Sequence, residues 1–281
     1  MSDGFLASWA LFGTTYAVGL LAAATLAQVG VWVVARDQIF LGAAVAQASA
    51  LGVAVALFGA PLLGLPLEGL EGEAAPALLA VFASILTAWL AARPPRRAAT
   101  TTEARTGWIF LGATAAPVLL LAHRPHGLEE IERLMFSTLL AAAPIDLVLF
   151  GALAILGAAL TARFGPSLLL SAVDPDSAAA AGLRPSRWRL LTAVWLGVAV
   201  GLAIRSAGTL FTFGCLVLPA LIASGLAREV RTFVWIAPAV AVAAAFAGFW
   251  VAHLADWPPA HATIGLLCAA LPCVWLARRS V

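Results

Sequence analysis

Residues 38–53 read QIFLGAAVAQASALGV, a nearly unbroken apolar run with one amide, Gln47, near its centre. Such a run suits the interior of a membrane. An amide placed there costs free energy unless it meets another helix or a water-filled path, so Gln47 either bonds a neighbouring helix or faces a route for solute. The rest of the chain has the same character. Of 281 residues, 63% are hydrophobic and 11% charged, against roughly 45–50% and about 25% in a soluble domain. The chain therefore reads as a single all-α domain, residues 1–281, forming a polytopic transmembrane helical bundle.

Apolar blocks near the roughly 20 residues that cross a hydrocarbon core lie at 9–35, 39–60, 75–92, 107–122, 144–162, 189–204, 207–227, 232–254 and 260–277. That gives about nine spans. Only Arg205-Ser-Ala-Gly208 separates the sixth block from the seventh, so eight or ten crossings stay open. The flank Met1-Ser-Asp-Gly4 lacks the basic start of a cleavable signal, and the first block is expected to be retained as a helix.

Arginine is the only basic residue besides histidine, and with nine alternating spans thirteen of the sixteen arginines fall on one set of loops. Arg124, Arg133 and Arg205 fall on the other, together with most of the loop carboxylates. By the positive-inside rule the arginine-rich side, with the C-terminus, is cytoplasmic. A multi-pass protein of the inner (plasma) membrane, embedded in the lipid bilayer, is expected.

Several functions are disfavoured by what is missing. No lysine occurs anywhere, so the phosphate-binding loop GxxxxGK[ST] cannot be built. No GxSxG elbow, HExxH pair or dinucleotide fingerprint is present, and there is no basic run interleaved with aromatics for a nucleic acid. No enzyme activity, cofactor or nucleic-acid partner is expected. Cys215, Cys268 and Cys273 sit in apolar blocks without ligand spacing and read as buried packing residues. Gly197 and Gly201, one helical step after Ala193, suit close helix packing.

Local patterns single out further residues. Between Arg163 and Arg189 lies SAVDPDSAAAAGL, residues 171–183, which reads as a short helix capped by Asp174 or Asp176 with Pro175 in its first turn and Gly182 at its end. It is either a docking element or an interfacial connector. Asp146, beside Pro144, caps the fifth span or faces a pathway, and Arg205 is expected to snorkel to the interface. The loop 123–132 with His123, His126, Glu129, Glu130 and Glu132 reads as a charged outer surface for a partner or a cation-attracting entrance. His253 and His261 flank Asp256 across the Pro258-Pro259 turn, where capping and turn formation are the expected roles.

Three stretches resemble the permease subunit of bacterial ATP-driven importers for zinc, manganese and related metal ions. They are DPDSAAAAGLRPSRWRLL (174–191), RSAGTLFTFGCLVLPALIASGLAR (205–228) and HLADWPPAHATIGLL (253–267). The resemblance implies a homodimer, a cytoplasmic ATP-binding subunit and an external solute-binding protein. It also implies that Asp174 to Leu183, with Asp176, Ala179, Ala180 and Gly182, is the ATPase-coupling helix. Permeases of this kind carry a pattern like GDALSHAxLPGV on the second helix, where Asp and His meet the ion. Aligned on Gly42, Gly52 and Val53, those two positions are Ala43 and Gln47. They share one helix face, but a methyl offers no donor and a neutral amide only a weak one. With Asp146, Ala43 and Gln47 are the candidate pathway residues, and no metal ligand is assigned. An importer permease is the leading expectation; a transport-inactive or regulatory subunit and a secondary carrier are the alternatives.

Overall fold

The computed structural model of the chain describes residues 2–59, 69–93, 101–122, 129, 139 and 142–279. Among these it is helical almost throughout. The helices are α1 (Ser2–Ala35), α2 (Ile39–Gly59), α3 (Gly69–Ala92), α4 (Thr102–Leu121), α5 (Pro144–Val173), α6 (Pro175–Ala180), α7 (Pro185–Leu226), α8 (Val230–Ala255) and α9 (Pro259–Arg279). Eight of them are long and apolar enough to cross a membrane. The count of crossings turns on α7.

At 42 residues a straight α7 would be about 63 Å long at 1.5 Å per residue, twice what a bilayer core needs. It is not straight. Gly208, at φ 75° and ψ 173°, leaves helical geometry for a region open essentially to glycine alone. Contacts on either side show what the break does. Early in the first leg, Thr192 accepts a hydrogen bond from Arg36, just past the end of α1, at 2.8 Å. Arg205, at the leg's end, reaches Asp146 in the first turn of α5. Beyond Gly208 the chain comes back, because Leu216 packs against Gly30 of α1 and Gly42 of α2. Ala227 then accepts from Arg278 at 3.3 Å. Residues 185–207 and 209–226 are thus two antiparallel legs, and the expected nine crossings are present.

The same contacts sort the connections between two ends of the bundle. One end holds the α1–α2 turn, the α3–α4 connection, α6, the α7–α8 turn and the end of α9. Arg105 of α4 donates to the Ala91 and Arg93 carbonyls, each at 2.6 Å. Arg36, Arg93, Arg105, Arg184, Arg187, Arg189, Arg228, Arg231 and Arg278 therefore gather at one end, and Arg205 lies at the other. The start of α1 is at that other end, where Phe12 and Tyr16 border the His253–Pro259 turn.

Helix limits differ from the apolar blocks in physically informative ways. α5 runs to Val173 instead of stopping near residue 162, because charge at Arg163 ends the apolar block but not the helix. The Arg163 guanidinium lies over the Phe164 ring, 5.1 Å from its centroid. α4 starts at Thr102, five residues before its block, because the Thr101 hydroxyl accepts from Ala104 N at 3.1 Å. Cys215 is buried as expected, but Cys268 and Cys273 are exposed on α9, a peripheral helix with one open face.

The centre is packed by α1 and both legs of α7. Trp32, Phe211, Leu216 and Ile204 are buried there, and small residues set the spacing. Gly197 and Gly201 meet the α3 backbone, where an added Cβ would lie 2.5 Å from Ile85 Cα and 2.6 Å from Val81 Cα. At Gly30 an added methyl would collide with the Leu216 carbonyl oxygen, a backbone atom that cannot turn aside. Gly30→Ala should accordingly lower stability by about 1–3 kcal/mol, read as a lower unfolding midpoint of the purified protein in detergent.

The Asp146–Arg205 pair holds the turn between the legs. Asp146 is 1% exposed, and its Oδ2 also accepts from the Ala143 backbone amide at 2.9 Å. Arg205 therefore does not snorkel outward; its guanidinium turns onto the carboxylate. Removing one partner leaves a charge stranded at depth. Asp146→Asn or Arg205→Met alone should each cost about 3 kcal/mol, with most of the loss recovered in the double variant. Denaturation midpoints of all four proteins test this; simple additivity would contradict the coupling.

Candidate functional site: the open face of α2 and the capped helix α6

α2 packs against α3, α4 and the second leg of α7. Gly42 packs on Leu216 and Phe213 of the second α7 leg, and at Gly52 an added Cβ would lie 2.7 Å from the Leu79 carbonyl carbon of α3. These contacts bury Leu41, Ala44, Val45, Ala46, Ala48, Ser49, Ala50, Gly52 and Val53. One less covered stripe has Phe40 and Val55 exposed and Ala43, Gln47 and Leu51 half-buried, spaced by three or four residues as a single helix face requires. Phe40 is bounded by Phe110 of α4, with ring centroids 5.1 Å apart.

Ala43 and Gln47, paired from sequence spacing, thus sit one above the other on this less covered face, both half-buried. Gln47 makes no hydrogen bond to a neighbouring helix among the described residues, so the packing role open to it in sequence is not taken up within this chain. By contrast Gln28 of α1, which the sequence reading passed over, is the amide that bridges helices. It is 8% exposed, and its Nε2 donates to Ala154 O of α5 at 3.4 Å. Nothing in local sequence separates the two glutamines; only the faces they occupy do. Asp146 is remote from this stripe, fixed at the α5 start by Arg205 and the Ala143 amide.

At the arginine-rich end α6 forms as its sequence dictates. Asp174, not Asp176, is its cap: Oδ1 accepts from Ser177 N at 3.0 Å and Oδ2 from the Ser177 hydroxyl. These bonds, the hydroxyl first and then the Ser177 amide, hold the Asp174 carboxyl below its ordinary range. The cap's contribution is complete above the ordinary carboxylate range and is lost only as pH falls through that lowered value. At the other end Gly182 has φ 81°. Gly182 N bonds Ala179 O and Leu183 N bonds Ala178 O, each at 3.0 Å, which closes the helix as a glycine-terminated motif does. Ala178 is buried beneath, while Asp176, Ala179, Ala180 and Gly182 are exposed on the outer surface.

His253, Asp256 and Trp257 border an outer cavity of about 320 Å³ with Tyr16 and Phe249. Asp256 is the left-handed residue that ends α8, with φ 56° and ψ 40°, in keeping with the turn role expected of it. Of the 123–132 loop only Glu129 is described, so its two histidines and its other carboxylates lie outside the described residues. Among the described residues no group of three or more His, Cys, Asp or Glu side chains is placed to hold a metal ion.

Two solved structures share this architecture. One is described as PsaBC from Streptococcus pneumoniae in complex with Fab; it matches with a TM-score of 0.79 at 16% identity over 98% of this chain and 95% of that one. The other, described as a metal-chelate type ABC transporter in an inward-facing conformation, matches with a TM-score of 0.71 at 18% identity over 94% of this chain and 85% of that one. At these identities the likeness establishes the fold. Residues 9–278 match the family described as the ABC 3 transport family, almost the whole bundle from the first span to the end of α9, and the chain belongs to that family as a membrane-spanning transport subunit.

Proposed function

We propose that this chain is the permease of an ATP-driven importer of the metal-ion type, working as a homodimer in the inner membrane with its C-terminus cytoplasmic. Two copies bring their α2 stripes together around a central path, an ATP-binding subunit docks on α6, and an external solute-binding protein delivers the solute. The arginine-rich end faces the cytoplasm, in keeping with the positive-inside rule.

The observation that carries this reading is the stripe on α2. In this proposal it is the face that meets a second copy, and its one polar group, the Gln47 amide, makes no hydrogen bond among the described residues. Where zinc or manganese would need carboxylate and imidazole, it offers Ala43 and Gln47. The solute that fits is a metal ion already held by its own ligands, with an apolar or uncharged exterior, rather than a bare zinc, manganese or iron ion. Asp146 enters this proposal as a brace for the outer end, since its carboxylate is committed to Arg205.

The test on α2 is to install Ala43→Asp and Gln47→His together and measure uptake of bare and chelated metal in cells with the cognate partners. Wild type should take up the chelated form, and the double variant should gain uptake of the bare ion. Full-rate uptake of bare zinc or manganese by wild type, unchanged by Gln47→Ala, would remove the assignment. No uptake of any form with an intact ATPase complex would favour the transport-inactive subunit instead.

The docking role of α6 has its own test. Ala179→Glu with Ala180→Glu places two carboxylates on the exposed face without touching the Asp174 cap or buried Ala178. Solute-stimulated ATP hydrolysis should fall at least about tenfold, the equivalent of about 1.4 kcal/mol, while the unfolding temperature stays put. Unchanged co-purification and hydrolysis would show that the ATPase docks elsewhere.

A further inference from the structure

Arg36 follows α1 at the arginine-rich end and is turned into the bundle. Its Nη1 donates to Thr192 Oγ1 at 2.8 Å. Its Nε and Nη2 are shielded from solvent and have no protein hydrogen-bond partner among the described residues. Trp32, one turn earlier on α1, is 1% exposed, and its indole Nε1 is likewise without a protein partner. Both side chains line one small cavity of about 10 Å³. Its remaining wall is apolar, with Val29, Val33, Ala88 and Leu196, apart from Gln38 and Thr192. Gln38 and Leu41, at the amino end of the 21-residue helix α2, also border it.

The buried polar groups of this cavity that lack a protein partner, Arg36 Nε and Nη2 and Trp32 Nε1, are all donors. An indole N–H can only donate, a guanidinium cannot accept, and a helix amino end carries partial positive charge. No carboxylate pairs with Arg36 among the described residues. Burial, and then the nearby Arg189 guanidinium, pull Arg36 down to about 10. Leaving donors of a buried cation unmet is costly. A water would satisfy one or two of them but would not balance charge.

We infer that the cavity between α1, α2, α3 and the first leg of α7 is a binding site for a single small monovalent anion of halide size, held by Arg36 Nε and Nη2 and the Trp32 indole N–H. The cavity of about 10 Å³ limits the site to one small occupant and excludes phosphate, sulfate or a lipid headgroup, because about 10–15 Å³ is the least that holds a single water. Its place, pinning the α1–α2 turn to α3 and α7, makes the ion a structural tie beside the stripe-bearing helix.

The test uses bromide with the full chain in complex with its ATP-binding partner. Crystals grown or soaked in bromide should show an anomalous peak within hydrogen-bonding distance of Arg36 Nη2 and Trp32 Nε1. In parallel, melting of the full chain is compared in sodium bromide and sodium gluconate at equal ionic strength. Wild type should melt about 3 °C higher in bromide, and Trp32→Phe, which keeps an aromatic ring but removes the N–H, should lose at least half of that difference. Density without anomalous signal, meaning a bound water or a partner side chain, would overturn the assignment. So would a bromide effect of equal size in wild type and Trp32→Phe. Neither readout measures transport, so both stand apart from the role proposed for Gln47.

Discussion

The ion pair between Asp146 and Arg205 fixes the far end of this bundle, and much of the remaining arrangement follows from it. With Asp146 almost fully buried, its charge cannot be left alone, so the start of α5 and the end of the first α7 leg meet. Once they do, the chain has two further residues before Gly208 and must then turn. The returning leg drops Leu216 onto Gly30 and Gly42, and this contact seats α2. A pair that looks like a local cap in sequence thus governs where α2 lies. Smaller polar groups are handled more cheaply: the Thr25, Ser84, Thr212 and Thr263 hydroxyls bond carbonyls four residues back on their own helices.

α2 shows how a partly open helix face can arise from packing constraint. Glycines at 42 and 52 let two neighbours approach so closely that the positions on those sides are buried, which leaves one stripe only partly covered. Evolution of solute preference on such a helix needs only changes at Ala43, Gln47 and their neighbours on the stripe, because the scaffold contacts lie on other faces. The scaffold match of Gly42, Gly52 and Val53 to the metal-importer pattern, combined with different residues at the two ion-facing positions, fits that separation.

Much of this was legible in the sequence because membrane physics restricts the answers. Composition gave the class, block lengths gave nine crossings, and arginine distribution separated the same two ends that the contacts do. The caps of α6 were readable down to Pro175 and Gly182, since local backbone chemistry decides them. Long-range matters were not. The partner of Arg205 lies 59 residues away, and no local pattern distinguishes an arginine that snorkels from one that turns inward. Arg36 was read as a loop charge for the same reason, although it is held inside by Thr192. The extension of α5 past Arg163 was hidden because hydropathy reports where apolar character stops, and a helix has no obligation to stop there.

Gly208 carries a consequence beyond local geometry. By folding one 42-residue helix back on itself, a single backbone conformation sets the parity of the whole chain. With the turn, an odd number of passes puts the two ends of the described chain on opposite faces; were that helix to thread straight, α8 and α9 would be inverted. Arg228, Arg231 and Arg278 would then be pulled across to the face that holds His253 and Asp256. The turn at Gly208 therefore fixes the parity of the passes that follow it, and the arginines placed after it agree with that parity. A residue with no side chain settles on which side of the bilayer the last quarter of the protein will emerge.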